Sequence, residues 1–342
     1  MATKTLRRRT LMKNEFIADL GLNEESKDQL DRVFTKIDAR FTENTYRNRK
    51  VVIKQFTEFS IEDDLRDVGS VEVDDWVSHL LTDDYAPRSV RGKAYALSGV
   101  FNELVTRNFV ESNPVEDVSV EDLEQTRQDQ YHTENNKGQY LSIEEYEKLV
   151  KATDNVRDKV MVRLLWQTGC RVSEAADVRI SDIDRDNRSI TIRNAKSGKY
   201  KDTGTRTVYY DRKFSVLLRQ YIDEGYREGF VGLSEDKEDH GHLLVSNEKY
   251  SLNKEYITKF IAEIAERAGI QDVMYENRAG NEMKRVNAHL LRKSYGVHRT
   301  KNGMPIAYLS ELMGHADVTV TKENYLHFRE DDIEEAERTY AP

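Results

Sequence analysis

The feature that most limits how this chain can fold is its shortage of chain breakers. Only 17 glycines and 4 prolines stand among 342 residues, well below the roughly 12% of an average chain. Such a backbone is predicted to run mainly in helices, and collagen-like or loop-dominated folds are excluded. The helices can be located from apolar spacing. In residues 45–59, Val52, Phe56 and Phe59 recur at helical intervals beside Arg47, Arg49, Lys50 and Lys54, and Thr45 suits the N-cap. In residues 89–109, Val90, Ala94, Leu97, Phe101 and Leu104 form a second stripe, with Arg88, Arg91 and Lys93 near its start. Pro87 precedes that helix, and Asn113-Pro114 closes the unit.

Residues 115–139 are polar, lack apolar periodicity and read as a linker. A length of 342 residues suits about two domains, so a small helical domain is predicted before the linker and a larger one after it. The second domain opens with Ser142 and Glu145 at capping-box spacing. A buried helix follows, ending at Gly169. Residues 189–211 alternate at Ile190/Ile192 and again at Val208/Tyr210, which predicts a β-hairpin with a long basic turn carrying Lys196, Lys199 and Lys201. Helices resume from residue 253, the last with Pro305 in its first turn.

Composition narrows the function. The single cysteine, Cys170, excludes a disulfide framework and any multi-cysteine metal site. No apolar stretch is long enough to span a membrane, and the basic opening MATKTLRRRTLMKN lacks the apolar core of a secretory signal. A soluble, intracellular protein is expected. The net charge of −9 argues at first against nucleic acid, but net charge sums over all faces and local patches decide. Acid is grouped at 62–64, 235–239 and 330–335, while base is grouped at Arg7-Arg8-Arg9, around Arg47, and along the hairpin turn.

Four separated pieces carry the chemistry. They are Thr168-Gly169-Cys170-Arg171-Val172-Ser173-Glu174, then Lys196, then His289-Leu290-Leu291-Arg292-Lys293-Ser294, then Gly314-His315-Ala316-Asp317 followed by Tyr325-Leu326-His327. Each has a bland reading alone. Arg171 could be a surface partner of Glu174, His289 a solvated helix residue, Lys196 a solvated lysine, and Tyr325 one packing residue among 18 tyrosines. Taken in order, they resemble the tyrosine recombinase (phage integrase) superfamily, in its Xer- and Cre-like branch of archaeal, viral or plasmid integrases. The resemblance covers residues of about 30–330.

The resemblance implies a mainly α fold with a small β-sheet and two domains. Residues 1–24 would be a basic arm, 25–118 a helical core-binding domain, 119–139 a linker, 140–330 a mixed α/β catalytic domain and 331–342 a C-terminal tail. It implies a site-specific recombinase that cuts and rejoins DNA through a 3′-phosphotyrosyl link, with no cofactor, metal or ATP. Arg171 and Arg292 would clamp the phosphate, and Tyr325 would be the nucleophile. His289 would assist proton transfer, Lys196 (or Lys199 or Lys201) would protonate the leaving oxygen, and His315 would hydrogen-bond the phosphate. Two guanidiniums suit a phosphate gaining charge, because each offers fixed paired donors that lysine lacks. Arg47, Arg49, Lys50, Arg88, Arg91, Lys93, Lys199 and Lys201 are candidate DNA contacts. Expected partners are double-stranded DNA, further copies forming a tetramer on it, and accessory DNA-bending proteins. No membrane contact is expected, and the location is cytoplasmic with the nucleoid. A type IB topoisomerase and a non-catalytic DNA-binding protein on this fold are the competing readings. Tyr325 stands ten residues after His315, one later than usual in the family, and the extra residue is expected in a loop at Asp317–Thr321.

Overall fold

The computed structural model describes residues 16–83, 85–119, 140–193, 204–233, 239–246, 251–276, 280–315 and 317–325. They form two compact units, one before residues 120–139 and one after them.

Among the described residues, the long helices of the first unit are α1 (Glu24–Arg40), α2 (Glu43–Phe59), α3 (Ser70–Thr82) and α4 (Pro87–Thr106). In α1 the side chain of Asn23 caps the N-terminus, and Leu30, Val33, Phe34 and Ile37 make one buried stripe. The predicted stripe of α4 is buried in full, and Pro87 is itself the first helical residue. In α2 the cap is Thr42, not Thr45. The Thr42 hydroxyl accepts from the Thr45 amide, so the helix starts earlier than apolar spacing alone indicates. Phe56 lies edge-on to both Trp76 and Phe101 at the centre of this core. The amide of Asn113 binds Ser98 and Asn102 on α4 while its carbonyl accepts from Val115, tying the closing turn to the helix. The expected arm at 1–24 ends earlier than predicted: Phe16, Ile17, Leu20 and Leu22 are buried in the core of this unit.

The second unit begins with α5 (Ile143–Lys151), opened by the predicted Ser142–Glu145 capping box. Helix α6 (Val156–Thr168) is buried on most sides and stops at Gly169, which takes a left-handed conformation at φ 58°. The short α7 (Val172–Asp177) follows. Strands β1 (Ile183–Asp184), β2 (Ser189–Arg193) and β3 (Thr205–Tyr209) make an antiparallel sheet in that order. The register sets Ile190 opposite Val208 and Ile192 opposite Arg206. Then come α8 (Arg212–Asp223), α9 (Tyr226–Leu233) and α10 (Lys254–Arg267). A second hairpin, β4 (Val273–Glu276) with β5 (Glu282–Lys284), interrupts the helices expected to run on from 253. Every residue of β4 is exposed, so this hairpin has no inward-outward alternation for a sequence reading to find. Helices α11 (Ala288–Lys301), α12 (Ile306–Met313) and α13 (Val318–Tyr325) follow. Pro305 caps α12 rather than entering its first turn. Among the described residues, no helix is long and apolar enough to cross a membrane.

Candidate active site

The site is assembled on the C-terminal end of one short helix. An α-helix leaves its last carbonyls without intrahelical donors, and at the end of α12 three such carbonyls each receive an arginine. Arg206 Nε donates to Leu312 O at 2.8 Å. Arg292 Nη2 donates to Met313 O at 2.8 Å. Arg171 Nη2 donates to Gly314 O at 3.3 Å. Gly314 closes the helix at φ 64°, a left-handed turn that directs the next residue, His315, back toward the arginines.

Each arginine reaches this point by its own route. Arg171 is the residue just before α7, released when Gly169 breaks α6. Arg292 is on α11, where Asn287 caps the helix and leaves His289 in the first turn. Its Nη1 donates to Gly169 O at 2.6 Å, so the glycine that ends α6 also anchors the second guanidinium. Arg206 is on β3. Glu174, fully buried, binds Arg206 Nη2 at 2.6 Å and Arg171 Nη1 at 2.9 Å. Burial alone would raise the Glu174 carboxyl, but Arg206 and then Arg171 overcome it and hold the pKa below the ordinary range. One carboxylate among three guanidiniums leaves the cluster positive, as a phosphate site requires.

Arg292 is buried, and burial followed by the charge of Arg171 lowers its pKa to about 10, so it stays charged at neutral pH. His315 Nε2 lies 3.0 Å from Arg292 Nη2. A guanidinium can only donate, so Nε2 is the accepting nitrogen and the ring proton is on Nδ1, which lies 2.7 Å from Thr321 Oγ1. Burial, then Arg292, Arg171 and Arg206, bring the His315 pKa down to about 4. The His289 ring is lowered too, by packing around it and then by Arg292, Lys293 and Arg171. Both imidazoles are therefore neutral at pH 7.

Tyr325 ends α13. Its ring is 5% exposed and joins Tyr295, Val297, Leu309 and Met313 in a separate apolar cluster. Burial raises its pKa, partly offset by Arg292. The ring lies directly on Gly296, where an added Cβ would fall 2.4 Å from Tyr325 Cε1. Residues 318–321 are the first turn of α13, so the extra residue before Tyr325 is not taken up by a loop at 317–321. Tyr308, on α12, is 63% exposed.

The structure thus brings Arg171, His289, Arg292, His315 and Tyr325 to one place. Lys196, Lys199 and Lys201 lie outside the described residues, as does the 331–342 tail. In the first unit Arg47 and Arg88 are exposed, Arg47 pairing with Glu43. Arg49 is turned inward, its guanidinium 4.5 Å from the Phe41 ring and pressed on Gly99. Lys50 lies over the Phe16 ring, and Lys93 binds Gln55 and covers the Tyr85 ring. Arg91 is half-buried. Sequence reasoning missed Arg206 and Thr321. Arg206 had a signal: it shares the inward face of β3 with Val208, a position where alternation asks for an apolar residue.

The profile of the phage integrase family matches residues 139–331. A probable integrase/recombinase protein of Methanocaldococcus jannaschii is 30% identical over 175 residues, covering 51% of this chain and 47% of that one. Tyrosine recombinase XerA of Pyrococcus furiosus is 28% identical over 187 residues, covering 53% of this chain and 55% of that one. The chain spans about half the length of these curated relatives. Among solved structures, the Tn1549 transposon integrase in complex with transposon right end DNA aligns with a TM-score of 0.68 at 16% identity, over 91% of this chain and 99% of that one, which shows a shared fold. With its matched profile covering more than half of its length, this chain belongs to the phage integrase family of tyrosine recombinases.

Proposed function

We propose that the protein is a site-specific DNA recombinase that cuts and rejoins strands through a phosphotyrosyl link at Tyr325. The observation that supports this most is the convergence of two anchored guanidiniums, Arg171 and Arg292, with two neutral imidazoles and a tyrosine on one helix end. The scissile phosphate binds across Arg171 and Arg292, which meet the charge that develops on its non-bridging oxygens. Tyr325 Oη attacks phosphorus, the bond to the 5′ oxygen breaks, and the 3′ end is left joined to the tyrosine. Neutral His289 takes the phenolic proton, and a lysine of the hairpin turn, Lys196 first among them, supplies one to the leaving 5′ oxygen. The link keeps the energy of the broken bond, so a 5′ hydroxyl from a second strand can reverse the step without ATP. Exchange between two duplexes needs four such cuts, and each chain brings one nucleophile, so four copies act together on double-stranded DNA.

Among the described residues, no group of three or more His, Cys, Asp or Glu side chains is arranged to hold a metal ion. The test follows from that chemistry. Incubated with a randomised pool of nicked duplexes in EDTA, the protein is expected to form DNA adducts that survive SDS. Adducts that vanish in EDTA and return with magnesium would contradict the reading.

A further inference from the structure

His315 lies between the arginine cluster and the helix that carries Tyr325. Its Nε2 accepts from Arg292 Nη2 at 3.0 Å, and its Nδ1 is 2.7 Å from Thr321 Oγ1. Thr321 is completely buried and precedes Tyr325 by one helical turn, so the two side chains lie on the same side of α13. We propose that Thr321 is a positioning residue that holds His315 through Nδ1, accepting its proton while Arg292 occupies Nε2, and thereby links the seating of the tyrosine helix to the arginine cluster. This deepens the recombinase reading and rests on it.

Three features of the geometry carry the inference. The first is that the tautomer of an imidazole depends on the partners of both nitrogens. Arg292 offers only donors, so Nε2 presents its lone pair to it, and the Nδ1–H that this leaves is satisfied by Thr321 Oγ1. Without that acceptor the N–H is unpaired against an apolar side chain, and the ring no longer gains by keeping this arrangement. The second is that a hydroxyl works both ways, donating as readily as it accepts. When a phosphate draws the Arg292 guanidinium to itself, Nε2 loses its donor. The Thr321 O–H can then rotate to donate to Nδ1, while the ring loses the Nδ1 proton to water and gains one from water at Nε2. The imidazole stays neutral and now offers an Nε2–H to the phosphate. An apolar side chain of the same shape allows neither arrangement. The third is distance along the helix. A slide of α13 large enough to unseat Tyr325 from Gly296 also breaks the bond to Thr321, so His315 holds its ordered tautomer only when the nucleophile is in place.

The experiment compares Thr321→Val, which keeps the shape and removes the hydroxyl, with Thr321→Ser, which keeps the hydroxyl. The full chain is labelled with nitrogen-15 histidine, and His315 is assigned by its loss in His315→Gln. In the wild type the His315 ring is expected to show the Nδ1–H pattern alone, moving toward Nε2–H on titration with inorganic phosphate. Thr321→Ser is expected to keep both properties. Thr321→Val is expected to lose the single tautomer and to form adducts on the best duplex of the pool roughly 10- to 100-fold more slowly. Its DNA affinity should stay within about threefold of the wild type, because phosphate grip comes from the arginines. A wild-type ring already carrying Nε2–H overturns the proposal, as does a Thr321→Val protein with an unchanged tautomer. Equal losses of rate in both variants, in step with their melting temperatures, also overturn it by showing that only packing is at work. If the wild type forms no adduct, the recombinase reading fails instead, and the tautomer measurement still decides the role of Thr321.

Discussion

Arg206 occupies a strand position that alternation reserves for an apolar side chain, and it is buried there with Glu174 and the carbonyl of Leu312. Removing one member of such a buried pair leaves the other charge uncompensated, so the strand and the site depend on each other. The five residues Arg171, His289, Arg292, His315 and Tyr325 could be picked out beforehand because their order along the chain resembles the recombinase signature. Arg206 and Thr321 could not be picked out that way, since they act on other side chains and any local partner of the right shape would serve. The same burial predicts a pH effect. His315 has a folded pKa of about 4 against 6.5 for the exposed side chain. Its pKa is lowered by folding, so the unfolded chain binds more protons between those values, and stability falls as pH falls from 6.5 toward 4. The effect is on the order of 2 kcal/mol, allowing for the partial exposure of the ring. Urea midpoints at pH 7.5 and 4.5 check this: His315→Gln should lose less than the wild type on acidification, and an equal loss would contradict the assignment.

Helices were legible where one face is buried or a cap is present. The buried stripe of α4 and the capping box of α5 are cases in point. Boundaries were less legible: Thr42 rather than Thr45 starts α2, because either residue can cap and only the fold selects one. The β4–β5 hairpin left no trace in the apolar pattern because its side chains face solvent on both sides. Close packing between elements was invisible as well. Gly296 on α11 reads as an unremarked helical glycine, yet it is the floor on which the Tyr325 ring rests. Gly296→Ala would place a methyl within the ring, and overpacking of this kind costs about 1–3 kcal/mol. The variant is expected to melt lower and to form adducts more slowly, with Tyr325 more exposed to chemical nitration than in the wild type. Unchanged nitration together with unchanged melting would show that the ring is not seated there.

At the scale of the whole molecule, the net charge of −9 coexists with a cluster of three arginines and one carboxylate in a single place. Composition averages over that contrast, so the sign of the total said little about the partner. The polar stretch expected as a linker at 115–139 starts too early, because Val115 and Val118 are buried in the core of the first unit. Lys196, Lys199 and Lys201, one of which the proposal needs as a proton donor, lie outside the described residues. The central claim is that Tyr325, and no other of the 18 tyrosines, becomes bonded to DNA. The direct measurement is mass spectrometry of the peptide that carries the nucleotide remnant after adducts are trapped on nicked duplexes and digested. The account predicts the remnant on Tyr325, with no adduct in Tyr325→Phe and DNA affinity within about threefold of the wild type. A remnant on another residue, or adducts that persist in Tyr325→Phe, would contradict it.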